Sequence, residues 1–151
     1  MTDKKENLIL RACSVNNLTR LLRIENRCFD NPWSINMLVS EILNHDTHFL
    51  CLWKDDEMVG YISIWLVLDT ANINNIAVDT PFQNRGYASY MLMKSIEALR
   101  AENIREVTLE VRQSNEAALK LYKSNGFEII GVRKDYYKKP TEDAHIMSKS
   151  I

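Results

Sequence analysis

The sequence predicts a mixed α/β domain, and three observations carry that reading. Apolar residues fall into short runs or alternations of strand length in seven segments, and into three- and four-residue helical spacing in four others. The segments follow the order β-α-α-β-β-β-α-β-α-β-β, so early strands succeed one another directly while later ones are joined by helices. Only four glycines and three prolines interrupt a chain of 151 residues, which leaves no linker and no repeat. A single domain is expected, with its core over about residues 8–149. At 46% hydrophobic and 26% charged residues, the chain has the composition of a folded domain and not of a disordered or fibrous one.

Leu8-Ile9-Leu10-Arg11-Ala12 reads as the first strand. Ser14 is placed to cap a helix whose inward positions are Leu18, Leu21, Leu22, Glu25 and Cys28, with Glu25 the polar exception in that stripe. Pro32-Trp33 ends this pattern, and Ser34 begins a second helix with Leu38, Val39 and Ile42 inward. Phe49–Trp53 and Val59–Leu68 are strands joined by Lys54-Asp55-Asp56-Glu57. Ala71–Val78 is a fourth strand, stopped by Asp79-Thr80-Pro81 because proline cannot donate to a ladder. Residues 83–88 form a loop, and Ala88, Met91, Leu92, Ile96 and Leu99 mark the buried face of the helix that follows. Val107–Val111 is the fifth strand. Asn115 caps a fourth helix carrying Ala118, Leu121 and Tyr122, which Asn125-Gly126 terminates. Phe127–Val132 and Ala144–Met147 are the last strands, expected on either side of a polar loop.

Several function classes are disfavoured at once. The formal net charge is −1, without the basic excess or stripe of a nucleic-acid binder. No apolar run approaches the roughly 20 residues that cross a bilayer. The start, Met1 to Asn7, lacks the apolar stretch of a secretory leader, so a cytoplasmic protein is expected. Cys13, Cys28 and Cys51 are odd in number and set among apolar residues, and are read as reduced core thiols. His45-x-x-His48 lacks a second ligand pair and His145 stands alone, so no metal is expected.

The segment from Val78 to Ala88 joins a strand to a long helix. Helix starts present unpaired N–H groups and the positive end of a dipole, which suits a phosphate. Gly86 lets the backbone approach closely, Ala88 is small, and Arg85 adds a cation. Neither a Walker loop nor a three-glycine dinucleotide fingerprint is present.

Ile76-Ala77-Val78 followed by Gln83-Asn84-Arg85-Gly86-Tyr87-Ala88 resembles the acetyl-CoA signature of the GCN5-related N-acetyltransferase (GNAT) family. Leu109-Glu110-Val111-Arg112, Ser114-Asn115, Leu121-Tyr122 and Asn125-Gly126-Phe127 are similar to the later half of the same fold. Pro32-Trp33-Ser34, Asn75–Val78, and Asp135-Tyr136-Tyr137 with Glu142-Asp143-Ala144 resemble the RimI-type branch, which acetylates protein N termini, notably of a small-subunit ribosomal protein. The resemblance implies a central, mostly antiparallel mixed sheet of about seven strands with four flanking helices. It implies acetyl-CoA as acetyl donor, no metal, a protein N terminus as partner, and a monomer or weak dimer. Two departures stand out. Asn72 lies where many relatives outside that branch carry a glutamate base, and Asn74 is polar where an apolar residue is expected.

Acetyl transfer from a thioester to an amine needs a base for the amine and an acid for the thiolate. Glu110 points away from its neighbours Leu109 and Val111 on a strand, and the resemblance makes it the base. Taken alone it fits equally a surface carboxylate paired to Arg112 or Lys120. Tyr122 is the acid on the same resemblance; by spacing alone it fits a core tyrosine. The resemblance assigns backbone groups of Ile76, Ala77 and Val78, together with Asn115, to the pantetheine arm, and residues 83–89, from Gln83 to Ser89, to the pyrophosphate. The strand bearing Ile76 to Val78 is implied to splay from the fifth. Trp33, Tyr136 and Tyr137 are assigned to the peptide side. An α-amine has a reference pKa of about 7.7–8.0 against about 10.4 for lysine, so an N terminus is the easier acceptor by about 3.5 kcal/mol. A lysine, polyamine or small-molecule acceptor is the alternative on the same fold, and a non-catalytic CoA-binding module is the second.

Overall fold

β1 (Leu8–Ala12) runs antiparallel to β2 (Thr47–Lys54), with Leu8 opposite Lys54 and Ala12 opposite Leu50. The computed structural model describes residues 6–151; Met1 to Lys5, most of the charged start read above, lie outside the described residues. The remaining elements are α1 (Leu18–Cys28), α2 (Ile35–Leu43), β3 (Glu57–Val67), β4 (Thr70–Val78), α3 (Tyr87–Ala101), β5 (Glu106–Arg112), α4 (Glu116–Ser124), β6 (Glu128–Lys138) and β7 (Thr141–Ser150). The strands form one seven-stranded sheet in the order β1-β2-β3-β4-β5-β7-β6. Four helices and a mixed sheet match the predicted fold class.

The chain gathers into two compact units. One holds the residues up to Ser63 together with Asn75–Met91; the other holds Ile64–Asn74 and Leu92–Ile151. In the first, Leu21 and Ile24 of α1 and Leu38 of α2 pack into one buried cluster with Phe49, Met58 and Tyr61. Burying each such side chain contributes about 1.5–3 kcal/mol relative to exposure. Of the stripe predicted on α1, Leu21 and Glu25, the latter 1% exposed, are buried; Leu18, Leu22 and Cys28 are half-buried, and Ile24, outside the predicted stripe, is fully buried. Ser34 accepts a hydrogen bond from Met37 N–H, as expected of the α2 cap. Ser14 instead caps a short 3-10 turn, Val15–Asn17, that leads into α1. Gly60 of β3 is required by proximity, because a Cβ there would lie 2.5 Å from the carbonyl oxygen of Ala77.

In the second unit, β4 runs parallel to β5 from Thr70 opposite Glu106 to Ile73 opposite Leu109. The register ends there, although β5 continues to Arg112 against β7. Val107, Leu109 and Val111 are buried while the residues between them are half-buried, so Glu110 faces away from them as predicted. Asn115 caps α4 through Oδ1, which accepts from Ala118 N–H at 3.1 Å.

Two expectations are corrected. The segment foreseen as a polar loop between the last strands is mostly strand, since β6 extends to Lys138 and β7 starts at Thr141. A register shift between Arg133 and Tyr137, with Asp135 at φ 53°, absorbs the polar residues as an irregularity within a hairpin. The three cysteines are not all thiols either. The β1–β2 pairing brings Cys13 and Cys51 to a Cα separation of 5.5 Å, and their sulfurs are joined. Only Cys28 is free among the described residues, and it is half-buried rather than in the core.

Candidate active site

Asp79 anchors the loop that the sequence singles out. Its side chain is fully buried and pairs with Arg20 at 2.7 Å and Arg27 at 3.1 Å. It also accepts from Thr80 N–H at 2.9 Å, at the start of a 3-10 turn that contains Pro81. Burial alone would raise its pKa, but the bonds from Arg20, Arg27 and Thr80 together outweigh it and hold the carboxyl below the usual range. Gln83 folds back, its Nε2 donating to Val78 O at 3.0 Å. Val78 O also accepts from the Cys28 thiol at 3.3 Å. Asn84 and Gly86 both take positive φ, 63° and 83°. A Cβ on Gly86 would meet nothing within 4 Å, so the backbone faces open space at the start of α3. Arg85 is exposed with its guanidinium 5.6 Å from the Phe82 ring. An exposed cation, two left-handed residues and a helix start within four positions fit a pyrophosphate. Tyr87 is the exception in this stretch. Its ring is buried and its hydroxyl donates to Glu6 at 3.0 Å, leaving its main chain for a ligand. Ala88 and Ser89 are half-buried on the first turn. On the adjoining strand, Ala77 is buried, and Ile76 N–H donates to the Asn75 side chain at 3.1 Å.

Glu110 and Tyr122 belong to the second unit with Asn115, Tyr136 and Tyr137. Glu110 is half-buried beyond the last β4–β5 rung. Oε2 lies 3.4 Å from Asn72 Nδ2 and Oε1 lies 3.9 Å from an exposed Arg133 guanidinium. Neither Arg112 nor Lys120, the partners considered from sequence, takes that place. Arg112 instead serves the β6–β7 turn, donating to Pro140 O at 3.0 Å and Lys139 O at 3.3 Å, and pairing with Glu142 at 3.3 Å. Its guanidinium also stacks 4.2 Å from the Tyr137 ring centre. Glu142 Oε1 accepts from Ser114 N–H at 2.5 Å, which ties the hairpin to the residue before the α4 cap.

Tyr122 is 6% exposed and packs edge-on against Phe127 at 5.7 Å. Burial, with a smaller contribution from Tyr137, pushes its hydroxyl well above the ordinary tyrosine range. It therefore holds its proton at neutral pH, as an acid must. Tyr137 is pushed up to about 12, again chiefly by burial. Tyr136 is 45% exposed and meets Tyr137 edge-on at 5.0 Å. Negative charge on Glu110 adds a smaller upward push to Tyr137.

Trp33 lies in the first unit, where its half-buried side chain packs against the core cluster. Its N–H donates to Glu25 Oε2 at 2.8 Å. Glu25 Oε1 accepts from the Tyr61 hydroxyl and from Asn75 Nδ2. Desolvation pushes Glu25 up to about 7, against the lowering effect of the Trp33 bond. Sequence reasoning gave this cluster no role. The signal was present in Glu25, a carboxylate at an inward position of an apolar helix stripe. Among the described residues, no three His, Cys, Asp or Glu side chains gather as a metal group, and no helix is long and apolar enough to cross a membrane.

The model of the acetyltransferase (GNAT) family matches residues 18–127. The ribosomal protein bS18-alanine N-acetyltransferase of Haemophilus ducreyi is 40% identical over 134 residues, covering 85% of this chain and 90% of its own. That of Salmonella typhimurium is 38% identical over 144 residues, covering 91% and 94%. The crystal structure of the ribosomal-protein-S18-alanine N-acetyltransferase from Escherichia coli superposes with a TM-score of 0.88 at 32% identity, over 95% of this chain and 94% of that one. The chain belongs to the GNAT family of acetyltransferases.

Proposed function

We propose that this chain transfers the acetyl group of acetyl-CoA to the α-amine of a protein N terminus, with the alanine of ribosomal protein bS18 as the target. The observation that carries this reading is the near-full-length similarity to two enzymes named for that reaction, at 40% and 38% identity. The site chemistry is consistent with it. Acetyl-CoA supplies an acyl group activated as a thioester and, once cleaved, a thiolate that needs a proton.

Residues 83–89, from Gln83 to Ser89, hold the pyrophosphate through main-chain N–H groups, with Arg85 adding charge. Main-chain groups of Ile76, Ala77 and Val78 hydrogen-bond the pantetheine arm, as does Asn115 Nδ2, and the N–H groups near Ala77 and Val78 polarise the thioester carbonyl. Glu110 accepts the ammonium proton of the incoming N terminus, directly or through one water. An α-amine with a reference pKa of about 7.7–8.0 asks little of a carboxylate base near neutral pH. Tyr122 stays protonated because it is buried, and gives its proton to the departing sulfur. Trp33 of the first unit is assigned to the peptide, and so, in the second unit, are Tyr136 and Tyr137.

The direct test follows thiol release from acetyl-CoA with peptides that differ only in their first residue. Alanine is expected to support the highest kcat/KM. Equal rates for every first residue, including a blocked one, would contradict the reading.

A further inference from the structure

Glu25 is a buried carboxylate that the mechanism above leaves without a task. A carboxylate 1% exposed is costly unless its oxygens are served. Here both are, by segments far apart in the chain. Oε2 takes the N–H of Trp33, in the connection between α1 and α2. Oε1 takes the Tyr61 hydroxyl of β3 and Asn75 Nδ2 of β4. Tyr61 and Asn75 are themselves joined, the amide donating to the hydroxyl oxygen at 2.8 Å. Asn75 Oδ1 receives Ile76 N–H at 3.1 Å, which fixes the end of the amide that faces Glu25.

We propose that Glu25 is a positioning residue for acetyl transfer. From inside the core it holds the Pro32–Ser34 connection and the Asn75–Ile76 stretch in one fixed relation, one oxygen for each. The proposal rests on the reading above, which assigns the first segment to the peptide and the second to acetyl-CoA. Reacting groups must be aligned closely, and small misplacements from a distant residue cost large factors in rate.

The two-oxygen geometry supplies the test. Glutamine matches glutamate in size but has one oxygen and one amide NH₂. In Glu25→Gln, that oxygen serves either Trp33 or the Tyr61–Asn75 pair, and the NH₂ then faces a donor. One of the two anchors is released while the core volume is kept. With purified protein, we expect Glu25→Gln to lower kcat/KM for an alanine-first peptide at least tenfold. The dissociation constant of CoA is expected to stay within about twofold. Asn75→Ala cuts the same linkage from the strand side and is expected to give a comparable loss. The double variant is expected to be no worse than the more damaged single one, because both changes break one connection.

A folded Glu25→Gln protein with kcat/KM within twofold of wild type overturns the proposal. So do losses that multiply in the double variant. If Glu25→Gln fails to fold, a folded Asn75→Ala protein with unchanged kcat/KM overturns it alone. A wild-type chain that acetylates no peptide N terminus removes the functional reading and this proposal with it, and that result appears before any variant is compared.

Discussion

Asn72 Nδ2 stands 3.4 Å from Glu110 Oε2, so an amide of β4 faces the carboxylate of β5 at the end of the parallel register. The same amide donates to Thr108 Oγ1 at 3.0 Å, which fixes its direction. β4 thus presents a donor to the carboxylate proposed above as the base. Replacing Asn72 by Ala removes a bond worth about 1 kcal/mol, and kcat/KM is expected to fall about fivefold. Asn72→Asp puts a second carboxylate against the first and is expected to cost more at neutral pH. A steady-state comparison of the two variants checks the order.

Glu110→Gln keeps the shape of the side chain and removes its basicity. General-base removal costs about 10²–10⁴ in rate. The expected result is a fall in kcat of that size, with CoA affinity within twofold of wild type by calorimetry. A kcat within threefold of wild type would remove Glu110 as the base.

Tyr122→Phe tests the acid. The ring keeps its edge-on contact with Phe127, so the variant is expected to fold with a stability change of about 1 kcal/mol or less. Turnover is expected to drop at least tenfold while acetyl-CoA still binds. Because burial raises the hydroxyl well above its ordinary range, the wild-type rate is expected to show no loss from Tyr122 ionisation up to about pH 10.

Asp79 and Glu25 make opposite predictions for stability against pH. Asp79 has a lowered pKa, so its contribution is present above the unfolded value of 3.8 and is lost as pH falls through the folded one. Asp79→Asn leaves Arg20 and Arg27 without their buried partner and is expected to cost about 3 kcal/mol, or roughly 10 °C in Tm at neutral pH. Glu25 is raised from 4.5 to about 7, so its contribution is complete below the lower value and is lost as pH rises through the upper one. Urea unfolding at pH 5 and pH 8 is therefore expected to show wild type losing more stability over that interval than Glu25→Gln. Parallel losses would contradict the assignment.

Much of this was legible in the sequence, for identifiable reasons. Period-two alternation placed Glu110 away from Leu109 and Val111, and helical spacing put Tyr122 on the inner side of α4. Both are local patterns, and local patterns survive without coordinates. The features that escaped depend on register. Cys13 and Cys51 lie 38 residues apart, and only the β1–β2 pairing, with Arg11 opposite Cys51, brings them together. Glu25 was visible as an exception, but its partners Tyr61 and Asn75 are 36 and 50 residues away. The β6–β7 hairpin hid its strands because residues 133–143 read as a polar loop, while the structure keeps most of them in strand, with an irregularity at Asp135 and the turn at Lys139 and Pro140.

The most direct measurement of the central claim is mass-spectrometric mapping of the acetyl group on two hexapeptides. Both carry one internal lysine; one begins with a free alanine and the other is identical but blocked at its N terminus. Acetylation of the free peptide alone, at its α-amine, is the predicted result. Acetylation of both peptides at lysine would contradict it.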